Sequence, residues 1–124
     1  MRHMSFSLTT AQMLARTKTV TRRLGWANLK PGTLLQAVEK SQGLGKGGKA
    51  RRLGVIRVVD VRREAIGDVL YYDDGENEVN REGFAGTTPH EFVSLFCRHM
   101  ACDRTDVVTR IEFEHVEAGE AQRS

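Results

Sequence analysis

The segment LGVIRVVDVRRE, residues 53–64, constrains this chain more than any other. Its Val and Ile content marks one long β-strand. It follows the strand-like TLLQAVE, residues 33–39, with only a glycine-rich, basic stretch between the two. Strands joined without an intervening helix do not give the repeated strand–helix–strand order of a parallel α/β sheet.

The remaining elements are few and short. SLTTAQMLARTKT predicts a helix over residues 10–16, with Thr9 as cap, Gln12 as capping-box partner and Leu8 stapled against Met13. LKPG, residues 29–32, is a turn feeding the strand at 33–39. YYDDGENEVNREGF reads as an acidic, turn-prone stretch. TTPHEFVSLFCRHM predicts a second helix, with Thr88 at the cap, Pro89 at the first helical position and Glu91 closing the box. DVVTRIEFEHV alternates Ile111 and Phe113 against Arg110, Glu112 and Glu114, the pattern of a half-buried strand. Residues 118–124 read as a frayed tail. The order helix, strands, helix, strand predicts the α+β class, as a small, partly open β-barrel with short helices at its rim. At 124 residues the chain makes one domain, 1–124, with its core over about 6–117.

The glycine stretch needs separate treatment, because GLGKGGKA imitates a phosphate-binding P-loop. Gly43, Gly48 and Lys49 are correctly spaced, but Ala50 stands where a magnesium-holding hydroxyl belongs. A P-loop also runs from a strand into a helix whose N–H groups meet the phosphates. Here a second strand follows, so nucleotide hydrolysis is not expected. What is left is a loop carrying Lys46, Lys49, Arg51 and Arg52, a set suited to the backbone of a nucleic acid.

Charge supports a polyanionic partner, though a solvated basic face explains it equally well. The net charge is only +3, but residues 16–63 hold thirteen Lys and Arg against two acids, Glu39 and Asp60. No apolar run reaches the length of a bilayer and no secretory leader opens the chain, so the expectation is a cytoplasmic protein without a membrane partner. Cys97 and Cys102 flank His99 without a fourth ligand, which reads as two free, half-buried thiols rather than a metal site. No metal and no cofactor is expected.

The chemistry concentrates in TKTVTRRLGW, residues 17–26. If this segment turns helically, Lys18 and Thr21 meet on one side, a possible pairing of base and nucleophile once neighbouring cations or burial make the amine neutral. The same residues are also legible as two threonines on a strand edge with basic side chains facing water.

Taken in order, KTVTRRLGW, LKPG, the glycine-and-lysine loop, GVIRVVDVRRE, REGF, TPHEFVSLFC and VTRIEFEHV resemble an ASCH-domain protein, in particular the small ASCH proteins of phages and prophages. The likeness spans roughly residues 8–116, and KTVT with its following arginine is its most specific part. The resemblance implies a PUA-like β-barrel and a cleft for RNA or a modified nucleoside along Lys18 to Arg23. It also implies an activity known in small members, removal of the acetyl group from N4-acetylcytidine. Lys18 then matches the base, Thr21 the nucleophile and Glu82 the acid, with Glu78 as the alternative to Glu82. Thr19, Arg22, Arg23 and Trp26 join the loop cations as substrate or nucleic-acid contacts. Binding of RNA without catalysis, or cleavage of RNA, are the other activities the resemblance allows.

Overall fold

A computed structural model describes residues 1–40 and 48–117. Lys46 and the tail at 118–124 lie outside the described residues. The elements are β1 (His3–Ser5), α1 (Thr10–Leu14), β2 (Val20–Arg23), β3 (Leu34–Val38), β4 (Arg52–Ala65), a 3-10 turn (Ile66–Tyr71), α2 (Gly75–Arg81), α3 (Pro89–Met100) and β5 (Val107–Val116). The α+β class is therefore what the chain adopts.

The five strands form one mixed sheet in the order β1-β3-β4-β5-β2. β1 pairs parallel with β3, and every other neighbour is antiparallel. The long β4 organises the rest, pairing with β3 on one side and with β5 on the other, with an irregularity between Val58 and Asp60. Such an interruption bends a strand and increases its twist. The sheet is not closed into a barrel. Its edge strands, of three and four residues, instead approach through side chains: the Arg23 guanidinium lies 4.7 Å from the Phe6 ring. The space between the two edges is the place to look for a site.

The core has two lobes. Met4, Phe6, Met13, Leu35, Ile56, Val58, Ile111 and Phe113 form the first lobe. Ile66, Val69, Val79, Phe92, Val93 and Val108 form the second lobe with α2, α3 and the 3-10 turn. Among the described residues no helix is long and apolar enough to cross a membrane. Cys97 and Cys102 are free and half-buried, and the Cys102 N–H closes the end of α3 onto the Cys97 carbonyl at 3.0 Å.

Several local expectations need correction. Thr9 precedes α1, but its side chain makes no capping bond. The expected partner Gln12 turns away and donates to the Gly83 carbonyl at 2.9 Å, and Leu8 is exposed rather than stapled. Tertiary docking takes over the job the local motif was expected to do. The stretch expected as turns carries α2, capped by the Asp74 side chain, which accepts from Asn77 N–H at 3.1 Å. Glu76 and Glu78 in its first turn and Arg81 in its last complement the helix dipole.

The start of α3 follows the sequence reading. Thr88 Oγ1 accepts from the Glu91 N–H at 3.1 Å, with Pro89 next in the chain. Thr88→Ala is expected to lower stability by about 1 kcal/mol, read as a shift of the urea midpoint without a change in slope.

Candidate active site

Lys18 follows α1 in a segment of irregular backbone that leads into β2. Neighbours hold this segment at every step. The Thr19 N–H donates to the Arg81 carbonyl at 2.8 Å, and the Thr19 carbonyl accepts from Phe113 N–H at 2.9 Å. His115 Nε2 lies 2.8 Å from the Lys18 carbonyl. The segment does not turn helically. It straightens at Val20 into a strand paired with β5, with Thr21 opposite Ile111 and Arg22 opposite Arg110.

Side chains alternate along a strand. Thr21 and Arg23 accordingly sit together, with Arg23 Nε donating to Thr21 Oγ1 at 3.1 Å. Arg22 turns to the other side, where it meets Arg110 of β5. Two arginines directly opposite would repel. Glu78 resolves this by accepting from Arg22 Nη2 at 2.6 Å and from Arg110 Nε at 2.6 Å and Nη2 at 3.1 Å. Arg22 Nη1 also donates to Glu82 Oε2 at 2.8 Å, and Glu64 adds a looser contact at 3.7 Å.

α2 delivers Glu82. Glu78 and Glu82 are four residues apart, hence on one face of the helix. Arg22 lies between the two carboxylates and offsets their repulsion. Gly83 follows with φ +97, and a Cβ there would stand 3.2 Å from Gln12 Cγ, so α1 packs tightly against the chain just after Glu82. Lys18 Nζ completes the arrangement by donating to the Glu82 main-chain oxygen and, at 3.2 Å, to its Oε1.

Lys18, Thr21, Arg22 and Glu82 are each less than 5% exposed, although all four are polar or charged. They line a pocket of about 550 Å³. Phe6 and Ser5 bound it from the β1 side, and Phe84, Phe92 and Phe96 from the helical lobe. It therefore lies at the junction of the two lobes, beside the unclosed edges of the sheet. One wall is aromatic and the other ionic.

Electrostatics separate the roles of these groups. Burial lowers the Lys18 pKa, the charge and hydrogen bond of Glu82 oppose that, and Arg23 and Arg22 add to the lowering; the net direction is down. Arg22 is the reverse case. Burial alone would lower it, but Glu82, Glu78 and Glu64 outweigh burial and hold it firmly protonated. Burial would raise Glu78, yet the hydrogen bond from Arg110 and the charge and hydrogen bond of Arg22 bring it down to about 2. Glu78 is thus a permanent counter-ion, and Glu82 is the carboxylate that lines the pocket.

Among the described residues, no hydrogen bond joins Lys18 Nζ to Thr21 Oγ1. Both residues line the same pocket.

Other expected contacts lie elsewhere. Thr19 lies outside the lining, its hydroxyl accepting from Arg81 Nε at 3.2 Å. Trp26 packs against the first core lobe, with Arg2 stacked 3.9 Å over its ring, beside a separate hollow. Lys49, Arg51 and Arg52 are exposed near the start of β4 and do not line the pocket. Sequence reasoning missed Lys40, which lines the pocket from the end of β3, as well as the aromatic wall and the Arg110–Glu78 anchor. Lys40 was visible only as one more basic residue, and nothing local marks Arg110 as buried. Among the described residues, no group of three His, Cys, Asp or Glu side chains is arranged to hold a metal.

No protein-family model and no curated protein matches the chain. Two solved structures share its fold. The crystal structure of hypothetical protein PH0355 aligns with a TM-score of 0.59 at 16% identity, covering 93% of this chain and 96% of that one. Protein EF3133 from Enterococcus faecalis V583, of family model DUF984, aligns with a TM-score of 0.51 at 13% identity, over 93% of this chain and 79% of its own. At such identities the likeness shows a small α+β fold.

Proposed function

We propose that this chain is an ASCH-type amidohydrolase that removes the acyl group from a modified nucleoside such as N4-acetylcytidine. The observation that carries the reading is the convergence of Lys18, Thr21 and Glu82 in one buried pocket, although 61 residues separate Thr21 from Glu82. Thr21 Oγ1 attacks the acyl carbonyl as its proton passes to neutral Lys18. The tetrahedral intermediate collapses, the C–N bond breaks, and the departing nitrogen takes the proton that Lys18 received from Thr21, passed on through the Glu82 carboxylate hydrogen-bonded to Lys18. A water then hydrolyses the threonine ester, with Lys18 again as base, and acetate leaves. The aromatic wall suits a pyrimidine ring.

The direct test is incubation of the folded protein with N4-acetylcytidine while cytidine release is followed. No release would overturn the reading. The four basic side chains that line the pocket favour a second reading, an RNA-binding module of the same fold without turnover. Salt-sensitive RNA binding by a protein that releases no cytidine would select it.

A pH dependence follows from the neutral-lysine requirement. The rate should rise with pH along an acid limb set by Lys18, below the ordinary lysine value of 10.5. Arg23 helps to lower that pKa, so Arg23→Gln should move the limb to higher pH. A kcat/KM profile on both proteins reads the shift, and a limb that moves down would exclude Lys18 as the base.

A further inference from the structure

The pocket holds more positive charge than its own chemistry uses. Four basic side chains line it, Lys18, Arg22, Arg23 and Lys40, against one acidic side chain, Glu82, and three of the four are cations even when Lys18 is neutral. Glu82 contacts both Lys18 and Arg22, and Glu78 supplies Arg22 with a second counter-ion. Arg23 and Lys40 are not matched in this way. Arg23 meets the Thr21 hydroxyl and the Phe6 ring, and among the described residues it has no ion pair. Neither contact neutralises a charge.

Arg23 is half-buried, and a guanidinium partly withdrawn from water without a counter-ion is left under-compensated. Burial accordingly pushes Arg23 down to about 10, with only the charge of Glu82 opposing. Structural arginines in this protein are treated differently: Arg22 and Arg110 are each fitted with Glu78. A cation left unfitted in a pocket wall, with an exposed lysine lining the same cavity, is the arrangement expected where the counter-ion arrives with a ligand.

Resting on the amidohydrolase reading, we infer that Arg23 and Lys40 form a phosphate subsite, so that the pocket takes a phosphorylated nucleoside in preference to a neutral one. A phosphate suits two cations from separate segments better than a carboxylate does, because it carries up to two charges and three free oxygens. The guanidinium supplies a fixed fork and the ammonium an adaptable point charge. The phosphate is either that of a mononucleotide or a diester within a strand, and both present the same chemistry to these two side chains.

The test uses products, so that it does not depend on turnover. Inorganic phosphate is titrated into the protein while the Arg23 Nε–H resonance is followed, assigned by its loss in Arg23→Gln. Affinities are then measured for cytidine, cytidine 5′-monophosphate and a cytidine trinucleotide. The expected result is a saturable displacement of the Arg23 resonance. Cytidine 5′-monophosphate should bind at least about tenfold more tightly than cytidine, the scale of one charge-assisted hydrogen bond. Lys40→Gln, at an exposed position where folding is not at risk, should remove most of that advantage. A further gain with the trinucleotide assigns the phosphate to a strand, and equal binding assigns it to a mononucleotide. The subsite is overturned if the Arg23 resonance does not respond saturably, or if the phosphate advantage survives both substitutions. Phosphate binding by a protein that releases no cytidine would sink the amidohydrolase reading and leave the subsite standing. Cytidine release without any phosphate advantage would do the reverse.

Discussion

Thr21→Ala is expected to lower the rate of cytidine release from N4-acetylcytidine by at least about 10³-fold, because removal of a nucleophile is not compensated by its neighbours. The change removes one hydroxyl that accepts a single bond from Arg23 and leaves the pairing of β2 with β5 intact. Circular dichroism should therefore report an unchanged fold. Thr21→Ser restores an attacking oxygen and should recover a measurable rate, which a merely structural threonine would not need. Lys18→Arg should be as inactive as Lys18→Ala, since a guanidinium retains its proton and cannot serve as base. Activity of Thr21→Ala within a few-fold of the natural protein would exclude the nucleophile assignment.

Arg22→Met should produce the largest loss of stability, about 3–5 kcal/mol, the usual cost of removing one partner from a buried ion pair. The arginine side chain is 0% exposed and sits between Glu78 and Glu82 at 2.6 and 2.8 Å. Methionine fills much of its volume but leaves two carboxylates on one face of α2 with less compensation. Urea unfolding measures the loss. Glu78→Gln in the same background should recover part of it, because the uncompensated charge is removed as well. A loss below about 1 kcal/mol would show that the network does not support the fold.

The same network fixes an acid limit. Glu78 has a folded pKa lowered from 4.5 to about 2, so its contribution to stability is complete above pH 4.5. That contribution falls away as pH drops toward 2, where the folded-state carboxylate also takes up its proton. Acid unfolding of the natural protein should be steepest in this window.

The elements whose information is local were legible in the sequence. The Val and Ile run of β4, the alternation around Ile111 and Phe113, and the cap formed by Thr88, Pro89 and Glu91 each rest on neighbours in the chain. The failures have a common cause. Gln12 was expected to cap its own helix and instead binds Gly83, and Arg110 was expected to face water and instead holds Glu78. In both cases the partner comes from a distant part of the chain, where no local pattern points to it. A barrel was expected as well, and the sheet is open, with β1 and β2 as its two unpaired edges.

For the site, Lys18, Thr21 and Glu82 were named from the sequence through a resemblance to ASCH proteins. Residue types alone favoured reading the segment around Lys18 as an exposed, basic strand edge. Burial separates these readings, and burial is a property of the packed chain. The sequence by itself determined β3, β4 and β5, the start of α3 and the residue types available for chemistry, since these follow from local propensity and spacing. Only the tertiary structure decided which charges pair, which cations are left without a carboxylate and that Glu82 rather than Glu78 lines the pocket. These are set by contacts between α1, α2 and the two edges of the sheet, where low dielectric and exclusion of water give each charge its meaning.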